Sequence, residues 1–327
     1  YNLADINIPE SVYSIEAYAF WNCRQITEIT LPDNLSLLGR AAFSGCRSLI
    51  EITIPGNISS IDGWVFENCF GLKRAVFSDG ITIIGNSMFF NCRNLTSVII
   101  PNSVTVIGQW AFENCYSLSD ITLPEGLEVI QQGVFSRCNS LANIKLPSTL
   151  TILDRVAFQS CHALTDIVIP SRVEAVGSSA FFDCTQLSSV TISNGVESIG
   201  PYAFEDCYEL IDVALPKTLS SIANGVFQGC SSLAEIIIPT SITYIAEYAF
   251  AKCYSLSSIT LPENITYIGR AAFSYCYNLN SVNIPKNAEI GPYAFSNCWS
   301  LDTIVLPEGV TTKIYDGAFF GCEGLQS

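Results

Sequence analysis

The residues of this chain with the most obvious chemistry are its 14 cysteines. The first twelve stand 23 residues apart, from Cys23 to Cys276, and Cys298 and Cys322 follow after 22 and 24 residues. A zinc site commonly takes cysteines in close pairs, and the sequence has no such pair. A disulfide needs two Cβ atoms that face one another, whereas the side chains of a stacked repeat point in parallel. We therefore expect free, buried thiols that pack as small apolar side chains, with no metal site.

The single histidine, His162, is the only candidate for a catalytic imidazole. A site built on a serine or cysteine nucleophile would have to use it, yet the repeat continues unchanged around it. The sequence has no G-x-G-x-x-G, phosphate-loop, H-E-x-x-H or G-x-S-x-G motif. Its carboxylates recur on rows instead of converging on one place. These features predict a protein that is not an enzyme and binds no cofactor.

The elements that position these residues follow from the fixed period, which indicates a repeat solenoid. In one unit Ile52 and Ile54 alternate with polar neighbours, as in a half-buried strand. Because every unit runs in the same direction, stacked strands can pair only as a parallel sheet. Proline follows the strand in twelve units. It ends the strand because it has no N–H to donate to a neighbour.

The rest of each unit must bring the chain round to the next strand. A second apolar pair, such as Ile58 and Ile61, has the spacing of a short extended or 3₁₀ segment. Phe66, Cys69 and Leu72 then follow at intervals of three residues. This spacing predicts a single helical turn that closes the unit.

The complete motif, L-x-x-I-x-I-P followed by an apolar pair and A-F-x-x-C, resembles the BspA-like class of leucine-rich repeats. Residues 118–138 are a full instance, and the resemblance covers essentially all 327 residues in about fourteen units. It implies one right-handed leucine-rich-repeat coil over 1–327, with a parallel β-sheet on the concave side and short turns or 3₁₀ segments on the convex side. The column that holds asparagine in commoner repeats is mixed here. We therefore expect no asparagine ladder and other partners for the turn backbone.

The resemblance also implies a function. BspA-like proteins are surface or secreted proteins of bacteria and some parasitic protists, associated with virulence and with adhesion to host matrix proteins and other cells. The implied function is a non-catalytic, extracellular or cell-surface adhesion module that recognises a host or partner protein, or a glycan, through an extended solenoid face. The alternative is a structural spacer or self-assembling element joined through its open ends, because neither end shows the polar cap that solenoids need. We also expect this chain to be part of a longer one.

The charge and hydropathy of the chain limit the classes of partner that it can bind. The net charge is −15 and only 14% of the residues are charged. A nucleic-acid-binding surface needs a basic stripe, which the sequence lacks. Although 49% of the residues are apolar, no apolar run approaches the ~18 residues of a membrane span. We expect neither nucleic-acid binding nor membrane insertion.

The strand residues that alternate with the buried ones are predicted to face solvent, and one row of them is rich in carboxylates. Like charges stacked on neighbouring strands cost stability. The row is interpreted either as the solvated surface of an acidic protein or as a site for a cationic partner or divalent ion. These carboxylates, called the acidic row below, are Asp5, Glu28, Glu51, Asp120, Asp166, Asp212 and Glu235.

A second candidate is a stripe of rings two residues before each phenylalanine, where large and small side chains alternate from unit to unit. The structural interpretation is that each ring lies over its small neighbour and fills volume that two adjacent rings could not share. The functional interpretation is that the rings face a ligand. These rings, called the ring stripe below, include Trp64, Trp110, Tyr202, Tyr248 and Tyr293.

The period slips twice near the carboxyl end. One residue is lost around 286–289 and one is gained around 311–313. Because the cysteines keep their neighbours, we expect both differences to be absorbed in the turn after the strand. Phe295 and Phe319 should then stay in the core.

Overall fold

A computed structural model describes residues 3–4, 6–306 and 313–325. These residues form a parallel-strand β-solenoid of about thirteen turns of roughly 23 residues, each called a coil below. This confirms the predicted fold class. The molecule divides into two compact units, Tyr1–Leu164 and Thr165–Ser327, and each is described by itself.

The strands are short, and they fall on two sides of each coil. Those of the first unit are β1 (Ser14–Ile15), β2 (Leu37–Leu38), β3 (Glu51–Ile54), β4 (Ser60–Ile61), β5 (Arg74–Phe77), β6 (Ile83–Ile84), β7 (Ser97–Ile99), β8 (Val106–Ile107), β9 (Asp120–Ile121), β10 (Val129–Ile130) and β11 (Ile152–Leu153). Those of the second unit are β12 (Asp166–Ile169), β13 (Ala175–Val176), β14 (Ser189–Ile192), β15 (Ser198–Ile199), β16 (Asp212–Ala214), β17 (Ser221–Ile222), β18 (Tyr244–Ile245), β19 (Ser258–Ile259), β20 (Tyr267–Ile268), β21 (Ser281–Asn283), β22 (Glu289–Ile290) and β23 (Thr303–Val305).

The predicted strands form the first side, called the sheet face below. In the first unit β3, β5, β7 and β9 pair in parallel, with Glu51 opposite Arg74 and Ile52 opposite Ala75. In the second unit β12, β14 and β16 form one sheet and β19, β21 and β23 another. Ile52 and Ile54 are buried while Glu51 and Thr53 are exposed. The predicted alternation is therefore confirmed.

The second apolar pair of each coil forms the other row of strands. In the first unit β1, β2 and β4 pair in parallel, as do β6 with β8 and β10 with β11. In the second unit β13 pairs with β15, and β17, β18, β20 and β22 form one sheet. Of the two conformations expected for this segment, the extended one is present. No 3₁₀ segment occurs in the described ranges.

The core is a set of side-chain columns that run from coil to coil. Within each unit the phenylalanines of the A-F-x-x-C motif stack almost in parallel, with neighbouring ring centroids 5.1–5.7 Å apart. Phe43, Phe112 and Phe227 are fully buried examples. Offset stacking at this spacing adds to the hydrophobic stabilisation that burial supplies.

The closing segment is not the helical turn that the spacing predicted. Two residues in each coil have positive φ, for example Trp64 (64°) and Asn68 (57°). Between them the amide hydrogens alternate. Phe66 N–H donates to Met88 O of the next coil at 2.9 Å, whereas Glu67 N–H closes a β-turn on Trp64 O at 3.0 Å. A helix would satisfy these groups within the coil, so the stacked coils replace it with successive β-turns bonded to one another.

The first slip in the period lies just after the turn in which it was predicted, and that turn is unchanged. Ala288 N–H donates to Pro285 O at 3.0 Å, as Ile265 N–H does to Pro262 O at 3.1 Å. Glu289 then pairs with Tyr267, so the position of Thr266 has no counterpart in the later coil. Ile290 and Phe295 remain fully buried. The missing residue is therefore absorbed between the two rows of strands.

The second slip falls mostly on residues 307–312, which lie outside the described ranges. Beyond them, the ring of Phe319 stacks on Phe295 with centroids 5.4 Å apart. The predicted column of phenylalanines therefore continues past this slip.

Candidate partner-binding face

The acidic row lies on the sheet face because its members occupy the outward positions of the strand segments. Glu51 begins β3 and Asp120 begins β9, and both are exposed, as is Glu28 in the preceding coil. In the second unit Asp166 begins β12 and Asp212 begins β16. Glu235 is also exposed, and Asp5 lies outside the described residues.

In the first unit the acidic row is interrupted by a basic residue. Arg74 Nη1 lies 2.6 Å from Glu51 Oε1, and both side chains are about half exposed. Ser97 Oγ donates to Asp120 Oδ2 at 3.4 Å on the next two strands. An ion pair at this exposure is worth about 0.2–1 kcal/mol. The structure therefore separates Glu28 and Glu51 from Asp120 by Arg74 and Ser97.

In the second unit a serine separates two of the carboxylates, and two others lie in consecutive coils. Ser189 faces both Asp166 and Asp212 across the β12–β14–β16 sheet. Asp212 and Glu235 take the same position one coil apart, and neither forms an ion pair within the described residues. The side chain of Asp166 accepts a hydrogen bond from Thr165 Oγ1 at 3.0 Å.

Aliphatic side chains stand beside these carboxylates on the sheet face. Ile99 and Val168 are about half exposed, and Ile237 is 85% exposed. Two grooves open between coils, one of about 510 Å³ beside Glu28 and Glu51 and one of about 680 Å³ beside Asp212 and Glu235. The sheet face therefore offers mixed acidic and apolar contact area, of the kind that a protein partner can cover.

The ring stripe has the packing role that one interpretation predicted. The rings of Trp110 and Tyr202 lie over Gly133 and Gly225 of the next coil, in direct contact. Arg40 covers the ring of Trp64, with its guanidinium carbon 4.5 Å from the ring centroid. One face of these rings is therefore covered, while Tyr202 and Tyr293 remain 37% and 41% exposed. Its role in binding stays a prediction.

A second set of rings directly follows several of the cysteines, mostly in the coils that carry the large rings of the ring stripe. In the second unit the rings of Tyr254, Tyr277 and Trp299 stack with centroids 5.0 and 4.1 Å apart. In the first unit Arg47 and Arg93 lie against the ring of Phe70, at 5.1 and 5.2 Å. The signal was present as rings in consecutive copies of one column, but only stacking distance shows that they touch.

All 14 cysteines are free, and all except Cys23 and Cys322 are buried, as predicted. Within each unit the thiols donate to the carbonyl oxygen of the phenylalanine in the preceding coil. Examples are Cys69 Sγ to Phe43 O at 3.3 Å and Cys253 Sγ to Phe227 O at 3.2 Å. Burial raises the pKa of the Cys69 and Cys253 thiols well above the usual range. These thiols are therefore structural donors and poor nucleophiles.

Side chains of the mixed column, which stands where commoner repeats have an asparagine ladder, form more hydrogen bonds to the backbone than predicted. Asn34 Nδ2 and Asn57 Nδ2 donate to backbone carbonyls of the preceding coil, each at 3.2 Å. Ser103 Oγ donates to Ile81 O at 2.7 Å in the same role. Polar members of the column thus satisfy backbone groups one by one, so a uniform residue type is not needed.

Within the described ranges, no three histidine, cysteine or acidic side chains come together as metal ligands. His162 is only partly exposed. The same ranges contain no helix that is long and apolar enough to cross a bilayer.

Coils that each add a short strand to a parallel sheet, over columns of leucine, isoleucine and phenylalanine, define a leucine-rich-repeat protein. The BspA type Leucine rich repeat region matches in 6 copies, over residues 1–119, 106–233 and 197–326. This chain belongs to the BspA-type leucine-rich-repeat family. Membership suggests a role in protein–protein interaction or adhesion.

Solved structures agree with this assignment. A leucine-rich repeat protein from Bacteroides ovatus ATCC 8483 is 33% identical, with a TM-score of 0.85, and the match covers 94% of this chain and 82% of that one. A leucine rich cell surface protein from Faecalibacterium prausnitzii A2-165 is 30% identical, with a TM-score of 0.53 over 84% of this chain and 77% of that one. The pneumococcal vaccine antigen PcpA, 19% identical with a TM-score of 0.53 over 81% of this chain and 78% of that one, shares the fold. No curated protein matches the chain.

Proposed function

We propose that this protein is a non-catalytic binding module at the cell surface or outside the cell, which recognises a partner protein through its sheet face. The observation that carries the proposal is the row of exposed carboxylates and aliphatic side chains on that face, at Glu28, Glu51, Asp120 and Ile99 in the first unit. A similar protein described as a cell surface protein supports the location. Family membership supports protein recognition.

The acidic row is the preferred contact, because the ring stripe already has a packing role and the carboxylates have none. A partner that uses the acidic row carries basic side chains, and its attraction weakens with salt. At ~1 M salt the screening length is about 3 Å, so little of this attraction remains.

The test replaces Glu28, Glu51 and Asp120 by serine and measures binding to a panel of purified extracellular-matrix proteins and glycans at several salt concentrations. The triple variant should bind its partner more weakly and with a flatter salt dependence. The matched control replaces Glu10, Asp79 and Glu128 by serine. These residues are exposed but lie off the sheet strands, so the control should keep wild-type binding.

Equal affinity and salt dependence in the two triple variants would remove the acidic row from consideration and leave the ring stripe as the candidate. Sedimentation of the wild-type protein at the same concentrations tests the alternative function. Concentration-dependent assembly without binding to the panel would favour a structural or self-assembling element.

A further inference from the structure

The residue that directly follows each cysteine occupies one column, and from Arg47 to Tyr116 this column alternates between cations and rings. Arg93 lies between Phe70 of the preceding coil and Tyr116 of the next, with its guanidinium carbon 5.2 and 5.8 Å from the two ring centroids. Arg93 Nε also donates to Asn91 Oδ1 at 2.8 Å. Both rings are only partly exposed. The chain therefore fills the space between two rings that lie two coils apart with a guanidinium of its own.

The same column of the second unit has two rings with no cation between them. Tyr208 and Tyr254 also lie two coils apart, and the coil between them carries Ser231 where the first unit has an arginine. The coils stack at their ordinary spacing here, because Ser232 N–H donates to Tyr208 O at 3.0 Å. Ser231 Oγ donates to Tyr208 O at 3.1 Å, so this short side chain is held against the backbone. The space over Ser231 and between the two rings is called the ring slot below.

The two rings of the ring slot are more exposed than those that enclose Arg93. Tyr208 is 43% exposed and Tyr254 is 38% exposed. Tyr254 stacks on Tyr277 of the next coil, with centroids 5.0 Å apart and 5° between the ring planes, so its opposite face is turned toward Ser231. Among the described residues, Tyr208 forms no ring stack and no contact with a cation. Each ring therefore keeps a face that a ligand can cover.

Carboxylates lie on one side of the ring slot. Asp206 lies two residues before Tyr208, and its carboxylate occupies the space over Gly229 that a Cβ atom would need. The pKa of the Tyr208 hydroxyl is raised, first by partial desolvation and then by nearby negative charge. That charge comes mainly from Asp206, Asp183 and Glu205.

One lysine stands near these carboxylates, in the coil of Tyr254. Partial burial raises the pKa of Asp206 and Glu205, and the charge of Lys252 offsets only part of that rise. Within the described ranges, the ammonium of Lys252 forms no ion pair. Negative charge therefore prevails around the ring slot and favours a cationic ligand.

We propose that the ring slot binds an arginine side chain of a partner protein. The guanidinium lies between Tyr208 and Tyr254, as that of Arg93 lies between two rings within the chain. Asp206 accepts a hydrogen bond from it, as Asn91 does from Arg93. Arginine is preferred to lysine because its guanidinium is flat and weakly hydrated, so it can cover two ring faces at once. The ring slot lies off the strands of the sheet face, so this site is separate from the acidic row and goes beyond the proposed function.

Charge favours an arginine of another protein over an arginine of a second copy. The chain carries a net charge of −15, so two copies repel each other. A partner with several basic side chains is attracted instead. The wild-type protein should accordingly sediment as a single, unassembled species at the concentrations used to measure binding.

The binding test uses a short capped peptide in which a single arginine is flanked by glycine and serine, and follows the arginine δ-methylene protons by NMR. Ring currents shift these protons upfield when the guanidinium lies over ring faces. Matched peptides carry lysine, which keeps the charge, or citrulline, which keeps the flat shape without the charge. The slot variant is Tyr208→Ser. The control variant is Tyr13→Ser, which removes a tyrosine that is 70% exposed in the first unit.

The arginine peptide should bind the wild type and the control alike, with an upfield shift. It should bind Tyr208→Ser about threefold or more weakly, because one cation–π contact is lost. The lysine and citrulline peptides should bind every form less tightly and shift little. The triple variant of Glu28, Glu51 and Asp120 should bind the arginine peptide as the wild type does, because it leaves the ring slot intact.

A further variant supplies the guanidinium from within the chain. Ser231→Arg should place it between Tyr208 and Tyr254, as Arg93 is placed in the first unit, and should abolish measurable binding of the arginine peptide. Ser231→Lys is its matched control, because it adds the same charge without the flat group, and it should weaken peptide binding less. In urea unfolding, Ser231→Arg should be at least as stable as Ser231→Lys.

The inference would be overturned by the lack of an upfield shift in the wild type, by equal affinities of Tyr208→Ser and Tyr13→Ser, or by equal binding of the lysine peptide. Loss of arginine-peptide binding in the acidic-row triple variant would also overturn it, because the arginine would then lie on the sheet face. Wild-type assembly that Tyr208→Ser abolishes would identify a second copy as the occupant and contradict a partner protein. The proposed function fails separately, since it depends on how the matrix-protein panel binds the triple variant and not on the peptide.

Discussion

At the scale of single residues, the two left-handed positions of each coil decide which side chains fit. The position two residues before the core phenylalanine has positive φ in every coil, whether it holds Trp110 (59°), Ala41 (51°) or Gly133 (64°). This conformation is strained for L-residues, so contacts with the neighbouring coils must stabilise the segment. Glycine is required only where a ring from the preceding coil takes the space of a Cβ atom, as the ring of Trp110 does over Gly133.

Replacing Gly133 by alanine should therefore lower the free energy of unfolding by about 1–3 kcal/mol, because the new Cβ atom overlaps the indole ring of Trp110. The φ angle of 64° adds to this loss, because any L-residue is strained there, although Ala41 shows that alanine can adopt it. Urea unfolding followed by tryptophan fluorescence measures the loss. Ser87→Ala is the matched control, because Ser87 has the equivalent place in the coil after Trp64 and already has a Cβ atom. Equal losses in the two variants would show that the ring moves aside freely.

At the scale of elements, strand pairing between coils is kept although the sequence period slips. The Glu289–Ile290 strand keeps its pairing with Tyr267–Ile268 although one residue between the rows is missing. Only the segment between the rows changed, so buried Ile290 stays on its core column. The coil therefore tolerates a change of length between its strands and not within them, because a shift by one residue inside a strand turns every side chain to the other face.

Inserting a threonine between Ala288 and Glu289 restores the spacing of the preceding coil and should change the free energy of unfolding by less than about 0.5 kcal/mol. The same insertion between Tyr267 and Ile268, inside the strand, turns fully buried Ile268 to the other face. That variant should lose about 2–5 kcal/mol. Urea unfolding of both variants checks the prediction, and similar losses from the two insertions would contradict it.

At the scale of the whole molecule, the buried thiols link stability to pH. Burial raises the pKa of Cys69, Cys138, Cys207 and Cys230 well above the usual value. In the unfolded chain these thiols ionise near pH 8.5. Below that pH both states keep the proton and the thiols add no pH dependence. Above it only the unfolded state loses protons, so the folded state becomes relatively less stable.

The free energy of unfolding should accordingly fall between pH 7.5 and pH 9.5, in reducing buffer, by up to about 1.4 kcal/mol per pH unit for each thiol that ionises only on unfolding. Cys138→Ala should lower this slope by the share of one thiol. Leu141→Ala is the control, since it removes a fully buried side chain and should lower stability at every pH without changing the slope. Stability that is constant over this range would refute the linkage.

The sequence by itself determined the solenoid, the inward columns and the outward acidic row, because a strict period places the same residue type at the same point of every coil. Ile52 and Ile54 face inward wherever their coil lies, so the alternation alone predicts their burial. Contacts between coils depend on several neighbouring residues at once, so the period alone does not predict them. The β-turn ladder at Trp64 and Asn68 replaces a helical turn because amides can bond to the next coil. Only the tertiary structure brings those groups together, and only it decides which of them pair.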